Sequence, residues 1–364
     1  MLNKKMDNRI TPFVKDTVNV EVSPFEQKYL HLAKAAYSTR RVPQQAMKTL
    51  LSGTISPEAG DLVLAEVINI RQHKRIELAC GRRAHLHNGD YIILCYGNRY
   101  APDQFEAYLP EDLGICHMVA AGGVAAKVKN KHRSIKSATE IKPVGIIGDD
   151  LGRPLNIRDW AIEATKIPDT LPEIYVVVGT SMNAGKTTTA AHLIKGLTHS
   201  DKKVGAAKLT GTGAGLDIWL MKDSGVHKVL DFTDAGHVST FCLSIDTLER
   251  IYETLLASLC EADVDCIVFE IADGLIQPET AALLNSKKFN QQIDHIIFAA
   301  QDAMGAKAGV DWLRNHQLPV KAVSGALTAS PMAAEEARKT MDLPVLDLDM
   351  LSSPEIEHVF SSLV

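Results

Sequence analysis

Gly179-Thr180, four further residues, then Gly185-Lys186-Thr187-Thr188 place one ammonium group and two hydroxyls at the end of a glycine-bounded loop. That chemistry suits a polyphosphate. The backbone N–H groups of Gly179, Thr180, Asn183, Ala184 and Gly185 can wrap phosphate oxygens. Lys186 can reach the outer phosphates, and Thr187 is placed to hold Mg²⁺ with Thr188 beside it. The spacing is not the common G-x-x-x-x-G-K-[ST]: Thr180 stands where the first glycine of that form would be. The sequence context supports the reading. Tyr175-Val176-Val177-Val178, an apolar and largely β-branched run, precedes the loop, and Ala190, Ala191, Leu193, Ile194 and Leu197 recur after it at helical spacing.

Other residues could join that chemistry. Lys208 precedes a loop with glycines at 211, 213 and 215, where backbone can approach a ligand closely. Glu270 ends the apolar run Cys266-Ile267-Val268-Phe269 and is followed by Ala272-Asp273-Gly274, a place from which a carboxylate can hold Mg²⁺. Among the acidic residues between them, Asp231 is a further metal candidate, whereas Asp217, Asp223 and Asp234 read as caps or solvated charges. His85-x-His87 could present two imidazoles on one strand face, without a third ligand nearby. Lys127, Lys129, Lys131, Arg133 and Lys136 form a basic run. It lacks the interleaved aromatics of a base-stacking surface, so nucleic acid is left open but not favoured.

The elements that must position these residues are of two kinds. From Glu173 onward, apolar strands alternate with helices, which predicts an α/β fold with a mostly parallel sheet and flanking helices, of the P-loop NTPase class. Expected strands are 174–178, 203–209, 228–232, 266–271, 295–299, 320–324 and 345–348. Expected helices are 185–198, 245–261, 303–316, 331–341 and 354–363. Ligands in such folds sit beyond the carboxyl ends of the strands, where the phosphate loop, Lys208 and Glu270 all fall. Between residues 61 and 147 short runs separated by turns predict a smaller β-rich barrel or sandwich. Ser23-Pro24-Phe25-Glu26 reads as a capped helix start running to Tyr37, and Pro43 as the start of a second helix to Leu51. The expected organisation is a helical lead-in over 1–55, a β-rich domain over 56–150, a linker over 151–172 with a short helix near 159–165, and the NTPase domain over 173–364.

Composition sets the outer limits. The chain has 364 residues, 46% hydrophobic and 23% charged, enough for sizeable cores. Residues 1–170 carry 24 Lys and Arg against 19 Asp and Glu, and residues 171–364 carry 15 against 25, so the halves differ in sign. No apolar run approaches membrane-spanning length, and no apolar core follows the basic start, so a cytoplasmic protein without membrane or secretory segment is expected. The six cysteines show no C-x-x-C spacing and are expected to be reduced thiols.

The back half resembles the dethiobiotin synthetase-like P-loop enzymes, a group that includes cobyrinic acid amidases. The residues that carry the resemblance are Gly179-Thr180 with Gly185-Lys186-Thr187, Lys208 after the second strand, and Phe269-Glu270-Ile271-Ala272-Asp273-Gly274. It departs at Ser181, where that group usually has an acidic residue. The resemblance implies that Lys186 and Thr187 bind ATP phosphates and Mg²⁺, that Glu270 completes the metal site, and that Lys208 contacts substrate or the transferred phosphoryl group. The expected function is a Mg²⁺-dependent ATP-binding enzyme, GTP remaining open, acting on a small-molecule acceptor as a ligase or kinase. The alternatives are a nucleotide-gated switch with a protein partner and a nucleic-acid-directed kinase; a homodimer is left open.

Overall fold

The computed structural model describes residues 19–163 and 165–361. In the back half six parallel strands lie in the order Lys228–Asp231, Val204–Lys208, Cys266–Glu270, Glu173–Gly179, His295–Ala299, Val320–Ser324. The order reverses beside Glu173–Gly179: the next strand in sequence lies two places to one side, and the later strands His295–Ala299 and Val320–Ser324 lie on the other. The phosphate loop therefore opens at the switch point of the sheet. Alternate residues of its strand feed two cores. Ile174, Val176 and Val178 pack among the Ile245–Cys260 and Ala303–Asn315 helices, while Tyr175 and Val177 face the Lys186–His199 helix. Burial on both faces accounts for the apolar run.

In the front half Thr139–Gly148, Leu62–Asn69, Tyr91–Tyr96, Val124–Lys131 and Cys116–Ala120 pair in a ring, since the last strand pairs both its predecessor and the first. The result is a closed five-stranded barrel. Val63, Ala65, Val67, Ile92, Leu94, Cys116, Met118 and Ile141 share one core; Leu62, Leu64, Ile93, Cys95, Val119 and Val124 share the other, under the lead-in. A hairpin of Arg99–Tyr100 and Phe105–Tyr108 extends the Val124–Lys131 strand toward the back sheet.

Several elements differ from expectation. The helix expected from Ser23 to Tyr37 is a strand, Val20–Pro24, then a short helix, Gln27–Leu32, and a two-residue strand, Lys34–Ala35. The helix expected from Pro43 to Leu51 is a single 3₁₀ turn, Gln44–Ala46, and a strand, Thr49–Gly53. Val20–Pro24 pairs antiparallel with Thr49–Gly53, and that distant pairing overrides the local capping signal. From residue 19 on, the lead-in thus mixes strands with one short helix and 3₁₀ turns; residues 1–18 lie outside the described residues. The linker helix near 159–165 is a 3₁₀ turn, Ile157–Trp160. The strand expected at 345–348 is one bridge from Val345 to Val323, and Leu348 already begins the helix Leu348–Ser352. The sequence pattern also missed the helices Leu216–Asp223 and Pro278–Asn285.

Candidate functional site

Gly185 takes φ 93°, and a Cβ there would stand 2.9 Å from the Ala326 backbone nitrogen, so a side chain is excluded on both counts. That bend starts the Lys186–His199 helix, whose first N–H groups are unpaired within the helix and point into the loop. Lys186 is buried and folds back over the loop, its Nζ donating to Ser181 O at 2.7 Å.

The neighbouring strands bring in the other charged groups. Lys208 and Glu270 are register partners on adjacent strands, and Val177 of the phosphate-loop strand pairs Glu270 on the other side. Thr187 Oγ1 donates to Glu270 Oε1 at 2.9 Å, and Lys208 Nζ lies 3.8 Å from the same oxygen. Lys208 also pairs with Asp217, on the Leu216–Asp223 helix. A cleft of about 380 Å³ is lined by the loop together with Lys186, Thr187, Thr188, Lys208, Asp217, Glu270 and Asp273. One of its buried atoms, Glu270 Oε2, has no protein partner. A second cavity, of about 600 Å³, adjoins Gly185 and Thr188 and is walled by 325–329 and 347–349.

Burial raises the Glu270 carboxyl above the usual range, with the Lys208 ammonium opposing it. Burial would lower Lys208, but the carboxylates of Asp217 and Glu270 outweigh it and raise the amine. Lys186 is lowered by burial, with Glu270 and Asp273 opposing. Asp273 is raised by burial, against the cations Lys186, Lys208 and Arg99. The cleft thus opposes three carboxylates to two ammonium groups.

Of the residues expected from the sequence, Gly185, Lys186, Thr187, Thr188, Asn183, Lys208 and Glu270 come together here, and Gly179, Thr180 and Ala184 build the loop beside them. Asp231 does not join them. It ends the edge strand, and its carboxylate accepts from Tyr37 Oη at 2.8 Å, Arg40 Nη2 at 3.2 Å and Thr233 N at 2.8 Å. Those partners satisfy it, so the metal reading of Asp231 is corrected to a contact between the halves. Asp217, taken as a solvated cap, lines the cleft instead; its partner Lys208 lies nine residues earlier, and only the turn into a helix brings them together. His85 and His87 are exposed, and among the described residues no group of three or more His, Cys, Asp or Glu could hold a metal. In the basic run Lys127 donates to Ile115 O, Lys129 pairs with Glu106, and Lys131 donates to Ile135 O.

The front half meets the phosphate loop and the strands beside it through several side chains. Asn183 Nδ2, on the phosphate loop, donates to Asp103 Oδ2 at 2.7 Å. Glu77 accepts from Gly215 N at 3.1 Å and Trp219 Nε1 at 2.8 Å, on the segment that carries Asp217. Arg40 lies 2.7 Å from Asp234 and stacks 4.0 Å from the Tyr37 ring centroid.

No protein family model and no curated protein matches the chain. Solved structures do. The signal recognition particle receptor FtsY from Elizabethkingia anophelis aligns at 13% identity and TM-score 0.36, over 57% of this chain and 70% of that one. The 54 kDa signal recognition particle protein from Aeropyrum pernix, in complex with GDP, aligns at 17% and 0.36, over 57% and 51%. The septum site-determining protein MinD from Pyrococcus horikoshii, complexed with Mg-ADP, aligns at 15% and 0.33, over 53% and 87%. At such scores the reading of the site stands on this chain's own geometry.

Proposed function

We propose that the chain binds a nucleoside triphosphate with Mg²⁺ and uses the γ-phosphoryl group to activate a small-molecule acceptor. One observation carries the reading: a buried carboxylate oxygen without a protein partner, Glu270 Oε2, lies in the cleft beside Lys186 and Thr187 at a helix N-terminus. Buried polar atoms are normally paired, and a cation bound with the phosphates would satisfy it. The donor set fits Mg²⁺, which takes hard oxygens, keeps several waters and needs only one or two protein carboxylates. Thr187 and Glu270 would hold it. When bound, it would neutralise charge on the β- and γ-phosphate oxygens. A cleft with more carboxylates than ammonium groups repels a bare polyanion, which is a second reason to expect the cation.

The chain's own groups then have distinct tasks. The loop amides and Lys186 hold the outer phosphates in place. Lys208, kept protonated by Asp217 and Glu270, presents a fixed positive charge where charge develops on the moving group or the acceptor. The adjoining cavity takes the base and ribose. ATP is the nucleotide proposed, and GTP is its competitor in the assay.

A second reading, a nucleotide-gated switch, has one observation in its favour. Glu77 of the front half grips the backbone of Gly215, two residues from the Asp217 that holds Lys208. A change at the phosphates could reach the front half by that route.

The test is turnover with and without candidate acceptors. Glu270→Gln is expected to keep nucleotide affinity within about threefold and to lose about 10²-fold in turnover; undiminished turnover removes Glu270 from the site. A phosphorylated or ligated product supports the enzyme reading, and hydrolysis that changes only partner affinity supports the switch.

A further inference from the structure

Arg99 sits on the front-half hairpin and is 6% exposed. Its Nη2 donates to Gln104 Oε1 at 3.0 Å, yet its Nε and Nη1 are buried and have no partner. A buried guanidinium with idle donors is unusual, because its charge and its hydrogen-bonding capacity both want an oxyanion. Four residues along, Asp103 accepts from Asn183 at the tip of the phosphate loop, while its other oxygen, Oδ1, is buried and unpartnered. The turn that carries both residues is therefore tied directly to the proposed nucleotide site.

The charges around Arg99 point the same way. Asp103 and Asp273 are the carboxylates whose charge acts on it, and Asp273 lines the phosphate cleft. Asp273 in turn feels Lys186, Lys208 and Arg99 together. His73, also near Arg99, is pushed down to about 4, chiefly by burial and then by the guanidinium, and so stays neutral. Burial pushes Arg99 down to about 10, which leaves it charged at neutral pH.

We propose that Arg99 anchors a carboxylate of the acceptor, so that the front half supplies the second-substrate side of the cleft. The inference rests on the phosphate-loop reading above. A phosphate of the nucleotide is the weaker assignment: the loop amides, Lys186 and Thr187 already address it, and Arg99 stands on the front-half side of the Asp103–Asn183 contact. A guanidinium suits a planar oxyanion, donating short charge-assisted hydrogen bonds to it. Asp103 Oδ1 would accept from a donor elsewhere on the same small molecule.

The experiment uses the full chain saturated with Mg-ADP. Thermal unfolding is followed with acetate, malonate, succinate, glutarate or glutamate at about 10 mM, against sodium chloride of equal ionic strength, since a ligand of the native state raises Tm by mass action. Direct fluorescence titration of ADP runs in parallel. At least one carboxylate is expected to raise the wild-type Tm beyond chloride, and Arg99→Gln is expected to abolish that rise while binding ADP as tightly as wild type. Arg99→Lys, which keeps the charge without the planar group, is expected to reduce the rise; it also serves if Arg99→Gln does not fold. The proposal is overturned if no carboxylate shifts the wild type, if the shift survives in Arg99→Gln, or if Arg99→Lys shows the full rise. It is equally overturned if Arg99→Gln weakens ATP binding but not ADP binding, which would place Arg99 on the γ-phosphoryl group. Failure of the phosphate-loop reading looks different: wild-type chain would not bind ADP at all.

Discussion

At the scale of single residues, the site depends on where the proton of one lysine resides. Lys208 is largely buried, and that burial alone would favour the neutral amine; Asp217 and Glu270 reverse it. Removing Asp217 leaves burial less opposed, so the lysine loses its proton at lower pH. Asp217→Asn is therefore expected to move the alkaline limb of the pH–rate profile to lower pH. An unmoved limb would detach Lys208 from the rate-limiting step. Lys208 and Glu270 were legible because each closes an apolar strand at the end where ligands sit. Asp217 and Arg99 were not. Each looks like an ordinary surface charge until the fold supplies its neighbour, and those neighbours come from tertiary packing that no local spacing encodes.

At the scale of elements, the halves are joined by a buried charge network. Arg40 on the lead-in reaches Asp231 and Asp234 at the end of the edge strand, with Tyr37 and Thr233 completing their hydrogen bonds. Asp231 and Asp234 are nearly fully buried, so losing the guanidinium strands two carboxylates beside Arg41, which lies 3.5 Å from Asp234. Arg40→Met is expected to cost about 3 kcal/mol in urea unfolding, the usual scale for breaking a buried pair from one side. A change within about 0.5 kcal/mol would mean that the network contributes nothing net. The same elements show what the sequence could reveal. His295–Ala299 and Val320–Ser324 match their expected bounds because an apolar run between turn residues defines a buried strand. The lead-in was misread because Ser23-Pro24 carries a strong helix-start signal, whereas the strand partner that overrides it lies beyond residue 48.

For the whole molecule, two histidines make stability depend on pH in a definite direction. His73 and His237 are both lowered from 6.5 to about 4, each chiefly by burial. The unfolded chain therefore binds more protons than the native one between those pH values. The stability these groups contribute is present above about pH 6.5 and is lost as pH falls through about 4. Urea midpoints are expected to fall across that window, and less steeply in His237→Gln; a flat midpoint would mean that both rings are protonated in the native state. The six-stranded parallel sheet and the small barrel were legible as classes. The closure of the barrel and the contacts by which the front half meets the back half were not, since register between distant strands leaves no local trace.

The central claim is that the bend from Gly179 to Thr188 grips a nucleotide's phosphates. Calorimetric titration of Mg-ATP into the wild-type chain and into Lys186→Ala, with the fold of each checked by circular dichroism, tests it most directly. Saturable binding with one site per chain is expected, weakened at least about a hundredfold when Lys186 loses its charge-assisted hydrogen bonds to phosphate. Equal affinity in the two proteins, or no binding to the wild type, would contradict it.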